Sequence, residues 1–152
     1  MILIALPLIA AGQSFFCHVV SVHDADGPFH CANGISVRLA GIQAADFEDA
    51  EPCRIGKADF VCSNAEAARA RDAMRSMILG KDLTCTAIGR SYKRTVAKCS
   101  FSGNDLSCLA VSHGIATRWP RYDRAGTLIH CKGRTTLHSS LDNLIDRPAV
   151  RR

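Results

Sequence analysis

Eight cysteines, no two of them at C-x-x-C spacing, constrain this 152-residue chain more than any other feature. Structural zinc sites need closely paired ligands, so the spacing argues against one. An even set of thiols points instead to disulfides and to export into an oxidising compartment. The strand patterns around the cysteines suggest their partners. Residues 15–22 (FFCHVVSV) read as a strand, 23–27 as a turn and 28–32 as a second strand. A hairpin centred on Asp24 sets Cys17 opposite Cys31, and directly opposed residues lie ~4.5–5.5 Å apart at Cα, within disulfide reach. Cys62 closes an irregular stretch, 47–61, that holds Cys53; Cys53–Cys62 is the simplest bridge and pins that loop beside the strand end carrying Asp46. Strands at 82–88 and 95–101 pair symmetrically about Tyr92 and set Cys85 opposite Cys99. Cys108 and Cys131 are left for each other by elimination.

The remaining punctuation completes an element order. Asn33-Gly34 is expected to form a two-residue turn of type I′, leading into a third strand over 35–40. There Ile35, Val37 and Leu39 share one face, Ser36 and Arg38 the other, and Gly41 breaks the alternation. Ser63-Asn64-Ala65-Glu66 is a capping box that opens a helix running to about Leu79, with Ala67, Ala70, Met74, Met77 and Ile78 as its apolar stripe and Gly80 as its terminator. Gly103-Asn104-Asp105 caps a second helix over 106–113, stopped by Gly114, and a weaker pattern at 136–145 suggests a third before a polar tail at 147–152. With 47% hydrophobic and 22% charged residues the chain can bury one core, and no repeat or linker divides it. Three strands, a helix, two more strands and further helices suit an α+β fold: a small five-stranded barrel of the oligonucleotide-binding (OB) kind with about three helices, stapled by disulfides.

Residues 1–11 are an apolar run ending in Ala10-Ala11-Gly12. The run is shorter than the ~20 residues that span a bilayer and reads as the apolar core and cleavage site of a secretory leader. It lacks the usual basic start, since the first Lys or Arg is Arg38; the other reading is a buried N-terminal strand. The expected division is a leader over 1–12 and one domain over 13–152, exported to the periplasm or the medium, monomeric and free of the membrane once mature.

Three short motifs carry chemistry: Asp24-Ala25-Asp26-Gly27, then Val37-Arg38-Leu39-Ala40-Gly41-Ile42-Gln43-Ala44-Ala45-Asp46, then Tyr92-Lys93-Arg94. In this order they resemble the motifs of the staphylococcal nuclease (thermonuclease-like) family, which reads Asp-Gly-Asp-Thr, Val-Arg-Leu-x-Gly-Ile-Asp-Ala-Pro-Glu and Tyr-Gly-Arg. The resemblance covers roughly residues 19–122 and implies an OB barrel with its helix between the third and fourth strands. It also implies a calcium-dependent hydrolase of DNA and RNA. By this resemblance Arg38 and Arg94 bind the phosphate and stabilise the transition state. Asp26 is a metal ligand and Gln43 stands where the family has a second aspartate ligand, so calcium binding is expected to be weak. Asp46 stands for the glutamate base on a stem one methylene shorter, with Glu48 close enough in sequence to compensate. Tyr92 matches a phosphate-bonding tyrosine, Lys93 replaces a glycine and Ser91 a basic residue.

Guanidinium suits this role on chemical grounds, offering two parallel donors to phosphate oxygens while keeping its proton. The competing readings are an Arg38 ion pair with a loop carboxylate, a solvated hairpin tip at Arg94 and plain turn chemistry at Asp24 and Asp26. Farther on, Trp119-Pro120-Arg121-Tyr122, flanked by Arg118 and Arg124, interleaves rings and cations as single-strand binders do; Trp119 and Tyr122 are the expected stacking residues. A net charge of +5 attracts polyanions only mildly. His18, His23 and His30 show no metal spacing. Two functions follow as expectations: an exported nuclease acting on single-stranded or frayed DNA or RNA, or a nuclease-like barrel that binds nucleic acid or another anion without cutting it.

Overall fold

The computed structural model describes residues 9–131. Residues 1–8 of the expected leader, the helix expected over 136–145 and the tail at 147–152 lie outside them. Strands β1 (Ser14–Val22), β2 (Phe29–Cys31) and β3 (Ser36–Leu39) come first, followed by a short β4 (Ile42–Gln43). Helices α1 (Glu51–Arg54) and α2 (Asn64–Ile78) precede the long hairpin β5 (Asp82–Ser91) and β6 (Arg94–Phe101). Then come β7 (Asn104–Asp105), α3 (Leu106–Ser112), β8 (Thr117–Arg118) and a 3-10 turn at Pro120–Tyr122.

The sheet runs β3-β2-β1-β5-β6 and closes on itself because β3 also pairs with β6, in parallel. This is a closed five-stranded barrel with three helices around it and four disulfides, the small α+β fold expected from the element order. Its interior is made by alternate strand residues, among them Val19, Phe29, Val37, Leu39, Leu83 and Ala97, all fully buried. Helix α2 adds Ala67, Ala70, Met74 and Ile78. Its N-cap is Ser63, whose hydroxyl accepts from Glu66 N–H, and Gly80 beyond its end donates to Val19 O. Asp105 caps α3 by accepting from Cys108 N–H.

The four expected disulfides are present: Cys17–Cys31, Cys53–Cys62, Cys85–Cys99 and Cys108–Cys131. Cys85 and Cys99 are directly opposed, but the hairpin is not symmetric about Tyr92: its strands run on to Ser91 and Arg94, which face each other across a Tyr92-Lys93 turn, and a bulge between Ala87 and Gly89 sets the cysteines in register. The first hairpin corrects the expected register. Val19, not Cys17, faces Cys31, because the hairpin turns about Ala25 and Asp26, with Val22 facing Phe29, rather than about Asp24; a bulge between Val19 and Ser21 takes back one residue of that shift, and Cys17 faces Leu83 of β5. The bulge still leaves the two Cα atoms 4.9 Å apart, so the bridge forms on a diagonal.

The Asn33 turn is also corrected. Gly34 N donates to Cys31 O and Cys31 N to Ile35 O, which makes a three-residue loop with positive φ at Gly34 rather than a type I′ turn. Asn33 works through its side chain, which donates to Phe16 O and accepts from Ile35 N–H. At the other end of β1, Gly12 N donates to Ala87 O, Ala87 N donates to Gln13 O, and Ile9 packs partly against the core. The stretch read as irregular holds a single turn of helix, α1, with a proline in its first turn.

Candidate functional site

The β2–β3 hairpin, the β4 turn and the start of β6 meet at one edge of the barrel. Gly27, just before β2, lies so close to β3 that a Cβ there would stand 2.5 Å from Val37 O and 2.8 Å from Arg38 Cα. Its φ is +113°, so glycine is required twice over, by space and by conformation. This tight approach carries Asp26 to Arg38. Arg38 Nη2 donates to Asp26 Oδ2 at 3.2 Å, and the two side chains are only 14% and 13% exposed. Arg38 Nη1 donates to Leu39 O and Ile42 O, and Asp26 Oδ2 also accepts from Ala44 N–H at 3.1 Å. One ion pair thus ties three turns of chain together, and it leaves Arg38 with donors to spare.

Arg94 opens β6. Parallel pairing sets Arg38 beside Val96, so Arg94, two residues earlier, shares the outward face with Arg38. Its guanidinium donates to Ser91 Oγ and Ser91 O and lies over the ring of Tyr92. Burial and the neighbouring charge of Arg38 hold its pKa below the ordinary value, while Asp26, Tyr92 and Asp46 pull it back up. Asp46 feels the same groups. Burial and then the charge of Asp26 raise its carboxyl to about 6, against the pull of Arg38 and Arg94. Burial likewise raises Asp26, which Arg38 and the Ala44 amide counteract. Asp24, buried and bonded to Ala25 N–H, is pushed up to about 7 by burial and by Asp26. Two guanidinium groups and two carboxyls, far apart in sequence, therefore share one electrostatic environment. The Asp46 carboxyl has no hydrogen-bond partner among the described residues.

Asp46 is held from the main chain. Its N–H donates to Val61 O, its C=O accepts from Ser63 N–H, and it forms a parallel bridge with Cys62. Gln43 turns toward the same loop, its Nε2 donating to Asp59 O at 2.9 Å. Trp119 covers Arg38, with Cζ 5.6 Å from the ring centre. It stands edge-on to Phe60 at 5.8 Å and to Tyr122 at 4.4 Å. Tyr122 and Tyr92 are exposed, at 55% and 83%, and Lys93 is exposed at the hairpin tip.

Calcium takes six to eight oxygens. The carboxylates of Asp26 and Asp46 and the carboxamide oxygen of Gln43 are donors of the right kind, but one Asp26 oxygen already serves Arg38 and Ala44. Among the described residues no three His, Cys, Asp or Glu side chains gather to hold a metal. These donors alone fall short of a calcium cage.

The structure gathers Asp26, Arg38, Asp46 and Arg94, with Trp119 over Arg38 and Tyr92 under Arg94. Glu48, weighed as a substitute base, instead accepts from Asn64 Nδ2, and its N–H donates to Asn64 Oδ1. Arg118 is turned away from the role of a nucleic-acid cation. Its Nε donates to the buried Asp123 carboxylate at 2.6 Å, and that carboxylate also accepts from Thr127 and Leu128 N–H. Burial alone would raise Asp123, but these bonds outweigh it and hold its carboxyl down at about 2. Sequence reasoning missed this anchor and the Phe60 contact, since neither spacing has a periodic signature. Compared with the models of known protein families and with the curated proteins, the chain matches none.

Proposed function

We propose that the Arg38–Arg94 edge of the barrel binds a phosphodiester of single-stranded nucleic acid and that Asp46 activates water against it. The observation that carries this reading is the shared environment of Arg94, Arg38, Asp26 and Asp46. A half-buried carboxyl near pKa 6, without a hydrogen-bond partner among the described residues and beside two fixed cations, is poised as a general base close to neutral pH. Arg94 faces the incoming phosphate, and the spare donors of Arg38 stabilise charge on its equatorial oxygens. Trp119 and Tyr122 offer ring faces to the flanking bases. The likeness of the three motifs to those of the staphylococcal nuclease family supports the same reading. The disulfides belong to a chain matured where thiols are oxidised, which supports action in the periplasm or medium.

The second reading, binding without cleavage, has its own observation: Arg38 already serves Asp26 and two carbonyls as an internal tie. One experiment separates the two. Purified protein is incubated with denatured DNA and with RNA, in millimolar calcium and in chelator. Nuclease action is expected to lose about 100-fold or more in Asp46→Asn and a similar factor in Arg94→Ala, with at most a modest effect of chelator. Salt-dependent binding without strand scission in any condition overturns the hydrolytic reading and leaves the binding one.

A further inference from the structure

No residue from Ala45 to Glu66 is buried, so the strap over 47–62 contributes nothing to the core. It nonetheless supplies Val61 O to Asp46, Asp59 O to Gln43 and the Phe60 ring to Trp119. Besides hydrogen bonds and the Phe47 ring against Arg71, the strap is closed by Cys53–Cys62, with Cα atoms 5.8 Å apart, which ties its α1 turn to the end that bridges Asp46. A segment with few buried contacts opens at low free-energy cost once its fastening is cut. The other three bridges are shielded: Cys17, Cys31, Cys85, Cys99 and Cys131 are buried, and Cys108 is half-buried against a buried partner. Cys62 is exposed. Exposed bridges are the ones open to thiolate attack.

We propose that Cys53–Cys62 is a redox switch for the Arg38–Asp46 site: a dithiol reductant opens this bridge first, and the freed strap lets go of Asp46, Gln43 and Trp119. The thiolate of the dithiol attacks the exposed Cys62 sulfur and forms a mixed disulfide, and Cys53 leaves as a thiolate that takes a proton. The second thiol of the reductant then displaces Cys62 as a thiol. Two electrons and two protons pass to the chain, and the dithiol ends as its own disulfide. The switch rests on the phosphate-binding reading for its effect on activity, but not for its structural step.

The chain's single tryptophan is Trp119, so its fluorescence reports whether Phe60 is docked. The intact protein is titrated with dithiol buffers of increasing strength, free thiols are alkylated at each point and located by peptide mass, and Trp119 emission and affinity for a single-stranded oligonucleotide are followed. The expected result is alkylation of Cys53 and Cys62 ahead of the other six cysteines. Trp119 emission shifts to the red in the same step, and cleavage or affinity falls about 10- to 100-fold, as a misplacement near 1 Å produces. The double variant Cys53→Ser/Cys62→Ser, checked for its remaining bridges and its circular dichroism, is expected to match the reduced protein. Opening of another bridge first, or an unmoved Trp119 spectrum when Cys53 and Cys62 are free, overturns the switch. An oxidised protein with no oligonucleotide affinity defeats the phosphate reading instead, and the order of reduction and the emission shift still decide the switch.

Discussion

Asp24 and Asp26 sit two residues apart; burial raises both, but their partners differ. Asp26 has a guanidinium and an amide as partners; Asp24 has one amide and the charge of Asp26 beside it. Burial and that charge raise Asp24 from 3.8 to about 7. A raised carboxyl favours the folded state while protonated, so its contribution is complete below its unfolded pKa and is lost as pH rises from there through about 7. Asp46, raised to about 6, works in the same direction. Asp123, held near 2, works in the other: its contribution is present above 3.8 and is lost as pH falls toward 2. These groups together place maximum thermal stability near pH 4, a window that a Tm series from pH 3 to pH 8 checks. Asp24→Asn keeps an oxygen for Ala25 N–H and removes the charge, and is expected to stabilise the chain at pH 8 by about 2–4 kcal/mol in urea unfolding. An unchanged midpoint would show that water reaches Asp24 freely.

The elements that position the site differ in how plainly the sequence announces them. The barrel strands carry alternation, α2 carries a capping box and a stripe, and the cysteines mark cross-strand pairs, so these were legible. The register of the first hairpin was not, because nothing in residues 23–28 centres the turn on Ala25 and Asp26 rather than on Asp24, and nothing around Val20 separates a straight strand from a bulged one. The two-residue strands β4 and β8 are too short for any pattern; they pair Gln43 with Thr117 and bring the Trp119 segment back to Gly41. That segment is held by Asp123, whose side chain takes bonds from Arg118, Thr127 and Leu128. Asp123→Ala leaves a half-buried guanidinium and a buried amide without their acceptor, a loss of about 3–5 kcal/mol. Because the same segment presents Trp119 and Tyr122, the variant is also expected to shift Trp119 emission under native conditions. A loss below 1 kcal/mol in denaturant titration would show that Arg118 finds another partner.

At the scale of the molecule, the motifs told which residues meet, and the closed barrel explains why: the parallel β3–β6 pairing brings two stretches more than fifty residues apart onto one outward face. What the sequence left unsaid is how the charge is used. A net charge of +5 spread evenly would act as a weak, diffuse attraction, whereas a site built on Arg38, Lys93 and Arg94 acts at one edge. Salt dependence tells these apart. Each phosphate neutralised on a single strand contributes about −0.7 to the slope of log K against log salt, so three local contacts give about −2. Arg94→Ala is then expected to flatten the slope by about 0.7. Lys81 is the matched control. It precedes the first residue of β5, while Arg94 follows the turn at that strand's far end, some ~30 Å away at about 3.3 Å per residue and well beyond a Debye length of about 10 Å. Lys81→Ala removes the same formal charge and is expected to leave the slope unchanged. Equal flattening by both variants, measured by oligonucleotide titration between low and moderate salt, would mean that the whole surface binds and that the Arg38–Arg94 edge has no special part.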